Sequence, residues 1–219
     1  MLWILFLAFV GAATPTAAQT GTDTRLWTMM SVRVHASPTS PWRWAADSLV
    51  GTRDGAATLD RLVGQLTITR DLTTRSSVGA SYAFGAVFPD SGGRREHRLA
   101  QQFTWRAGAR PRVTVRSALE ERFVTGGNTA WREDQFLRVT MPVAAKGRLS
   151  AVASNEVFVP ISQLGPSPKE IDNRTLVGVA VTATTRSQLE IGYLHLYARR
   201  PQSTPTHSHV LVVSVAVSR

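Results

Sequence analysis

Apolar and polar residues alternate along most of this chain. In the segment 172–182, Val177 and Val179 fall on one side of an extended strand, whereas Gly178 and Ala180 fall on the other. Side chains two residues apart share a face of a strand, so this period predicts β-strands with one apolar and one polar face. The pattern predicts eleven such strands, at residues 26–35, 42–50, 60–70, 76–84, 96–106, 112–123, 131–141, 148–159, 172–182, 188–197 and 209–218.

Successive strands joined by brief connections are typical of β-barrels. The sequence therefore predicts an all-β chain that forms a single antiparallel up-and-down transmembrane β-barrel of about 10–12 strands. Bacterial membrane barrels usually have an even number of strands. We accordingly expect that one strand near the N-terminus is missed or divided wrongly, and that the true number is ten or twelve.

Alternation alone does not say which face points outward, because a soluble barrel places its apolar face inside. Three features favour an apolar exterior in contact with lipid. The polar face is rich in small residues, which suit a narrow lumen, and short connections alternate with long ones. Aromatic residues also gather near strand ends, as in the girdles of membrane barrels. These aromatic residues are Trp27, Trp42, Trp44, Trp105, Trp131, Tyr193 and Tyr197.

The N-terminal segment has the features of an export signal. An uninterrupted apolar run extends from Leu2 to Val10, and small residues follow it up to Ala18. This run is too short to span a bilayer and has the length of a signal-peptide core. We predict a signal peptide at residues 1–18, an outer-membrane β-barrel domain at residues 19–219, and a location in the outer membrane of a Gram-negative bacterium. The expected partners are outer-membrane lipids and, during biogenesis, the barrel-insertion machinery.

Composition narrows the remaining possibilities. The chain of 219 residues has no cysteine and a net charge of +10, with 25 basic and 15 acidic residues. Without cysteine, the sequence offers neither a disulfide framework nor a thiolate metal site. The arginines are spread along the sequence at one or two per strand, without the basic patch and interleaved aromatics of a nucleic-acid-binding surface. We therefore predict no nucleic-acid partner and no cofactor.

Several short motifs occur in an order that resembles a known family. They are Glu96-His97-Arg98, Gln101-Gln102, Arg116 with Glu120-Glu121-Arg122, Asn155-Glu156-Val157-Phe158, Asn173-Arg174 and Glu190-Ile191-Gly192-Tyr193. Together they resemble the bacterial family catalogued as domain of unknown function 2490, over about residues 25 to 218. That resemblance implies an outer-membrane β-barrel. It implies no particular reaction, because the family has no established biochemical role.

Charged residues on the polar faces of the middle strands form the candidate site. Paired carboxylates could serve general acid–base chemistry, but charges enclosed in a narrow lumen also need partners for structural reasons. We interpret them as a salt-bridge network that fills the lumen, with no catalytic residue and no metal site, and we predict that the chain is not an enzyme. The predicted network comprises Glu96, Arg98, Arg116, Glu120, Arg122, Arg138, Glu156, Arg174 and Glu190.

Two other functions remain open beside a structural or weakly conducting barrel with an Arg/Glu-lined lumen. The first is an outer-membrane lipid-modifying hydrolase that uses His207, Ser208 and His209. Adjacent residues of a strand point to opposite faces, so Ser208 is poorly placed for either histidine. The two histidines do share a face, but without a nearby carboxylate they are a weak metal site. The second is a soluble periplasmic barrel that binds a small apolar ligand.

Overall fold

The chain is described by a computed structural model. The model describes residues 24–37, 39–54, 56–88, 93–126, 129–144, 148–163, 171–199 and 205–219. The predicted signal peptide at residues 1–18 lies outside the described residues. No helix within these ranges is long and apolar enough to span a membrane.

The described residues form eleven β-strands, and each corresponds to one of the predicted segments. The strands are longer than predicted by a few residues, since backbone pairing continues beyond the last alternating side chain. The all-β prediction is confirmed. The strands are β1 (Thr24–His35), β2 (Trp42–Arg53), β3 (Thr58–Asp71), β4 (Ser76–Val87), β5 (Arg94–Ala107), β6 (Arg112–Val124), β7 (Thr129–Pro142), β8 (Leu149–Gln163), β9 (Ile171–Thr184), β10 (Ser187–Arg199) and β11 (Thr206–Ser218).

The strands form one closed barrel in which each strand pairs with its neighbours in the sequence. All consecutive pairs are antiparallel, whereas β1 and β11 close the barrel as a parallel pair, from Thr24 opposite His209 to Arg33 opposite Ser218. An odd number of alternating strands leaves the first and the last pointing the same way, so closure has to be parallel. Eleven strands fall within the predicted range of about 10–12, so the prediction of a single up-and-down barrel is confirmed, whereas the narrower expectation of an even number, ten or twelve, was wrong.

The barrel has two rims. We call the rim where β11 ends the C-terminal rim; its connections are residues 36–41, 72–75, 108–111, 143–148 and 185–186. We call the rim where β1 begins the N-terminal rim; its connections are residues 54–57, 88–93, 125–128, 164–170 and 200–205. The two sets overlap in length, so the expected alternation of short and long connections is weak. The turn between β9 and β10, with two residues, is the clearest short one.

The outer face of the barrel is apolar along its whole circumference. Every strand contributes at least one large apolar side chain that is exposed on this face, such as Met30 of β1, Leu66 of β3, Leu99 of β5, Leu137 of β7 and Val177 of β9. Side chains of the opposite parity point into the lumen and are mostly buried or half-buried. The polarity of this barrel is therefore the reverse of that of a soluble protein, in which large apolar side chains are mostly buried.

Candidate functional site

The candidate site is the lumen, because the charged side chains of the middle strands converge there. One group of ion pairs joins β5, β6 and β7 near the N-terminal rim. Arg122 donates to both carboxylate oxygens of Glu96, at 2.5 Å from Nε and 2.9 Å from Nη2. Arg132 Nε lies 2.5 Å from Glu120 Oε1, but its N–H is not directed at that oxygen, so the contact is an ion pair rather than a hydrogen bond. Arg98 lies 3.8 Å from both glutamates.

A second group joins β6, β7, β8 and β9. Arg116 Nη2 donates to Asp134 Oδ2 at 2.7 Å and to Glu156 Oε1 at 2.6 Å. The other oxygen of Glu156 accepts from Arg174 at 3.4 Å. Two guanidinium groups and two carboxylates thus balance in charge, which is what enclosed ions require.

A third ion pair crosses the lumen. Arg138 of β7 donates to Glu190 of β10 through both terminal nitrogens, and one of these hydrogen bonds is 3.3 Å long. Two strands, β8 and β9, separate these residues around the wall, so the pair forms a chord through the interior. Every one of the nine residues predicted for the lumen network takes part in an ion pair of one of the three groups.

Two charged residues of the network were not among those predicted. Arg132 and Asp134 are each 7% exposed and contact the predicted members Glu120 and Arg116. Both have the same parity as Arg138, farther along the same strand. Counting back from Arg138 in steps of two would have found them from the sequence.

Arginine and aromatic side chains stack through the lumen beside these ion pairs. The Phe158 ring lies between two guanidinium groups, with Arg132 Cζ 4.1 Å and Arg174 Cζ 4.4 Å from its centroid. Arg174 is also 6.0 Å from the Trp27 ring, and Arg61 Cζ lies 4.8 Å from that ring. The cation–π contacts therefore connect β3, β1, β9, β8 and β7 through the interior.

The position of Trp27 corrects the predicted aromatic girdle. Its side chain is 4% exposed and points into the lumen, so Trp27 does not belong to an outer girdle. Residues 27 and 30 differ in parity, so Trp27 lies on the face of β1 that Met30 does not occupy. The sequence therefore already indicated that Trp27 points into the lumen. Tyr193 lies at the middle of β10 rather than near its end. Trp42, Trp44 and Trp105 are exposed on the outer face near the C-terminal rim.

The lumen is not lined by charge alone. Apolar residues fill it on the side formed by β8 to β11 and β1, where Leu176, Leu194, Val210 and Val212 are buried against one another. The Arg/Glu network thus lines the lumen from β5 to β10, and the apolar cluster packs beside it. A further group of ion pairs lies on β1 and β3, where Asp60 is 2.8 Å from Arg61 Nε and 3.6 Å from Arg25.

The residues considered for hydrolysis lie on two faces. His207 and His209 are exposed on the outer face, where His207 Nδ1 lies 3.1 Å from His195 Nε2 and Tyr193 Oη is hydrogen-bonded to His209 Nδ1. Ser208 has the opposite parity and pairs with Leu196. Within the described ranges, no group of three or more histidine, aspartate or glutamate side chains is arranged to hold a metal ion.

Comparison with known proteins identifies relatives without assigning a role. Over 130 residues, the chain is 29% identical to the Uncharacterized protein MexAM1_META1p0181 of Methylorubrum extorquens, and the alignment covers 57% of each chain. The chain thus spans little more than half the length of that relative. The model of the family described as Protein of unknown function (DUF2490) matches residues 24–206, which include β1 to β10 and the start of β11. The match covers most of the chain and confirms the resemblance carried by the strand motifs, so this protein belongs to the DUF2490 family.

Proposed function

We propose that the chain is a transmembrane β-barrel of a bacterial outer membrane, and that its network of ion pairs and stacked rings closes the lumen. In this proposal its role is structural or weakly conducting, and it is not an enzyme.

The apolar outer face is the observation that carries the proposal. Strands of 12–15 residues exceed the 9–11 that a tilted strand needs to cross a bilayer. Large apolar side chains are exposed on all eleven strands, and burying this surface in hydrocarbon is favourable at about 25 cal/mol per Å². A water-soluble barrel would leave the same surface hydrated, so this observation argues against the soluble ligand-binding alternative.

Two acidic residues point outward on the described strands, and their positions are compatible with a membrane. Glu121 and Glu133 point outward on β6 and β7, and each lies within five residues of the N-terminal rim. At that level a side chain reaches the headgroup region, where a charge costs far less than at the midplane. Glu133 also accepts a hydrogen bond from Gln135 at 2.5 Å.

Contacts that cross the lumen support the proposed closure. The Arg138–Glu190 ion pair connects β7 to β10, and Arg174 of β9 contacts the Trp27 ring of β1 across the intervening β10 and β11. These chords leave little room for a continuous water path. The two cavities described at the barrel ends, of about 130 and 370 Å³, lie at the two rims.

Membrane fractionation followed by planar-bilayer recording tests the proposal. The mature chain should be extracted from outer membranes only with detergent, and it should migrate differently on a gel before and after heating, as closed barrels do. In bilayers, the purified protein should give small currents or none. Recovery of the whole protein in a soluble periplasmic fraction would refute the membrane position, whereas large steady currents would refute the closed lumen.

A further inference from the structure

The positive charge of the barrel is concentrated at one rim. Arginines are evenly spaced along the sequence, but the topology brings many of them to the C-terminal rim. We assign to a rim the described residues of its connections and the three residues at each strand end, together with the residue after β11. By this definition the C-terminal rim has ten arginines and one acidic side chain, that of Asp71. By the same count, the N-terminal rim has six arginines and four carboxylates. The ten arginines are Arg33, Arg43, Arg70, Arg75, Arg106, Arg110, Arg112, Arg148, Arg186 and Arg219.

Four of these arginines lie in the connections themselves. Arg75, Arg110, Arg148 and Arg186 each occupy a different connection of the C-terminal rim, and all four are exposed. Among the described residues, no ion pair involves any of these four guanidinium groups, in contrast to the paired arginines of the lumen. The rim therefore presents a ring of unneutralised positive charge.

Three tryptophan side chains lie just inside this ring, on β2 and β5. Trp42, Trp44 and Trp105 are exposed on the outer face within the first or last few residues of their strands. Arg70 Cζ lies 5.7 Å from the centroid of the Trp42 ring. Tryptophan favours the boundary between hydrocarbon and headgroups, so in the proposed membrane position these arginines lie at the depth of the lipid phosphates.

A small cavity at the same rim opens at the mouth of the lumen. It has a volume of about 130 Å³ and lies between the β9–β10 turn and the end of β11. Arg33 and Arg186 line it together with hydroxyl-bearing residues, including Thr184, Ser187 and Ser218. Guanidinium and hydroxyl groups are the donors that bind phosphate oxygens most readily.

We propose that the C-terminal rim is a binding surface for the phosphate groups of an anionic glycerophospholipid in the adjacent leaflet. The exposed arginines of the connections attract these phosphate groups around the rim. This inference rests on the membrane position proposed above.

Quenching of tryptophan fluorescence by brominated lipids tests this inference directly. The folded barrel is reconstituted in phosphatidylcholine, and brominated phosphatidylglycerol or brominated phosphatidylcholine is added at equal mole fractions. Trp42, Trp44 and Trp105 report on lipids at the C-terminal rim. We expect brominated phosphatidylglycerol to bind about two- to fivefold more strongly than its phosphatidylcholine counterpart. The preference should fall as the salt concentration rises, because the attraction between exposed charges is screened.

Two triple variants with the same change of charge provide the matched comparison. Arg75→Gln, Arg110→Gln and Arg186→Gln together should remove most of the preference for phosphatidylglycerol. The control replaces Arg94, Arg95 and Arg199, three exposed arginines at the N-terminal rim, with glutamine and should retain that preference. Heat-dependent migration on a gel shows that each variant is folded. If the first variant does not fold, the salt dependence of the wild-type preference decides.

Each outcome has a distinct meaning. Equal quenching by the two brominated lipids in the wild type, or an equal loss of preference in both triple variants, would overturn the binding surface and leave the membrane position intact. Stronger competition by lipid A than by phosphatidylglycerol would overturn the assignment to a glycerophospholipid. Absence of quenching by either lipid would mean that the barrel does not enter bilayers, and both proposals would fall.

Discussion

The guanidinium carbon of Arg132 lies 4.1 Å from the centroid of the Phe158 ring inside the barrel. Arg132 was not among the residues predicted for the network, yet both side chains are nearly inaccessible to solvent, at 7% and 4% exposure. Glu120 Oε1 lies 2.5 Å from Arg132 Nε, so the ring and the carboxylate both stabilise the charge of the buried guanidinium. This arrangement supports the closed lumen proposed above.

Replacing Glu120 with glutamine should destabilise the barrel. The change leaves Arg132 buried without its nearest carboxylate, and breaking a buried ion pair costs about 3–5 kcal/mol. The free energy of unfolding, measured by urea titration in lipid vesicles, should fall by about 3 kcal/mol. Glu121→Gln, one residue along on the outer face, should change it by less than about 1 kcal/mol. Equal effects of the two substitutions would contradict an enclosed network.

Phe158→Leu tests the stacking separately from the ion pairs. The variant retains an apolar side chain but loses the aromatic face that contacts Arg132 and Arg174. We expect a loss of about 2–3 kcal/mol in the same titration, from cation–π attraction and lost packing. Phe123→Leu, on the exposed outer face, should cost less than about 1 kcal/mol. An equally small effect at Phe158 would show that the stack contributes little.

An arginine at Val179 should distinguish a membrane barrel from a soluble one. Val179 is 45% exposed and lies on the outer face, well inside β9. In a bilayer, Val179→Arg should lower the free energy of unfolding by about 2–4 kcal/mol, because the charge enters hydrocarbon. Val179→Leu is the control and should have little effect. In a soluble barrel, the arginine would instead be hydrated and nearly neutral in effect. Ala180 is unsuitable as a control, since it is 1% exposed within the packed apolar side of the lumen.

Trp27→Ala should open a path through the lumen. The indole is buried between Arg61 and Arg174, and its removal leaves space on one of the chords that close the barrel. In planar bilayers the variant should conduct more than the wild type, and the current should favour anions, because Arg61 and Arg174 flank the position of the indole. Trp131 lies outside the lumen network, so the control variant Trp131→Ala should leave the conductance unchanged.

The same recording tests the charge of the path. Glu120→Gln combined with Trp27→Ala should shift the current further toward anions than Trp27→Ala alone. Large cation-selective currents of the wild type, insensitive to Glu120→Gln, would show that these charges lie outside the conduction path.

Gly178→Ala should destabilise the barrel through a close contact between strands. A Cβ atom at this position would lie 2.5 Å from the backbone oxygen of Ile191 and 2.8 Å from Gly192 Cα. Because these are backbone atoms, β9 and β10 would have to separate, and overpacking of this kind costs about 1–3 kcal/mol. Gly64→Ala, where a Cβ meets nothing within 4 Å, should be neutral in the same urea titration. A neutral Gly178→Ala would mean that the strands can move apart at little cost.

The sequence by itself determined the positions of the eleven strands and the face on which each side chain lies. The reason is local, because successive side chains of an extended strand must point to opposite sides. Parity alone thus placed Glu96, Glu120 and Glu190 on one face and Val177 and Leu211 on the other. The same parity places Arg132, Asp134 and Trp27 on the lumen face, although these three were not predicted there.

Only the tertiary structure decided which side chains of different strands contact one another in the lumen. The pairing of Arg138 with Glu190, and of Arg174 with the Trp27 ring, depends on strand register and on the curvature that brings distant parts of the wall together. The parallel closure of β1 on β11 was likewise invisible in the alternation, since it depends on how the two terminal strands meet in space. The arginine rim has the same origin. Antiparallel strands bring every second connection to the same rim. Arginines that are far apart in the sequence are therefore close together in the barrel when they lie in alternate connections.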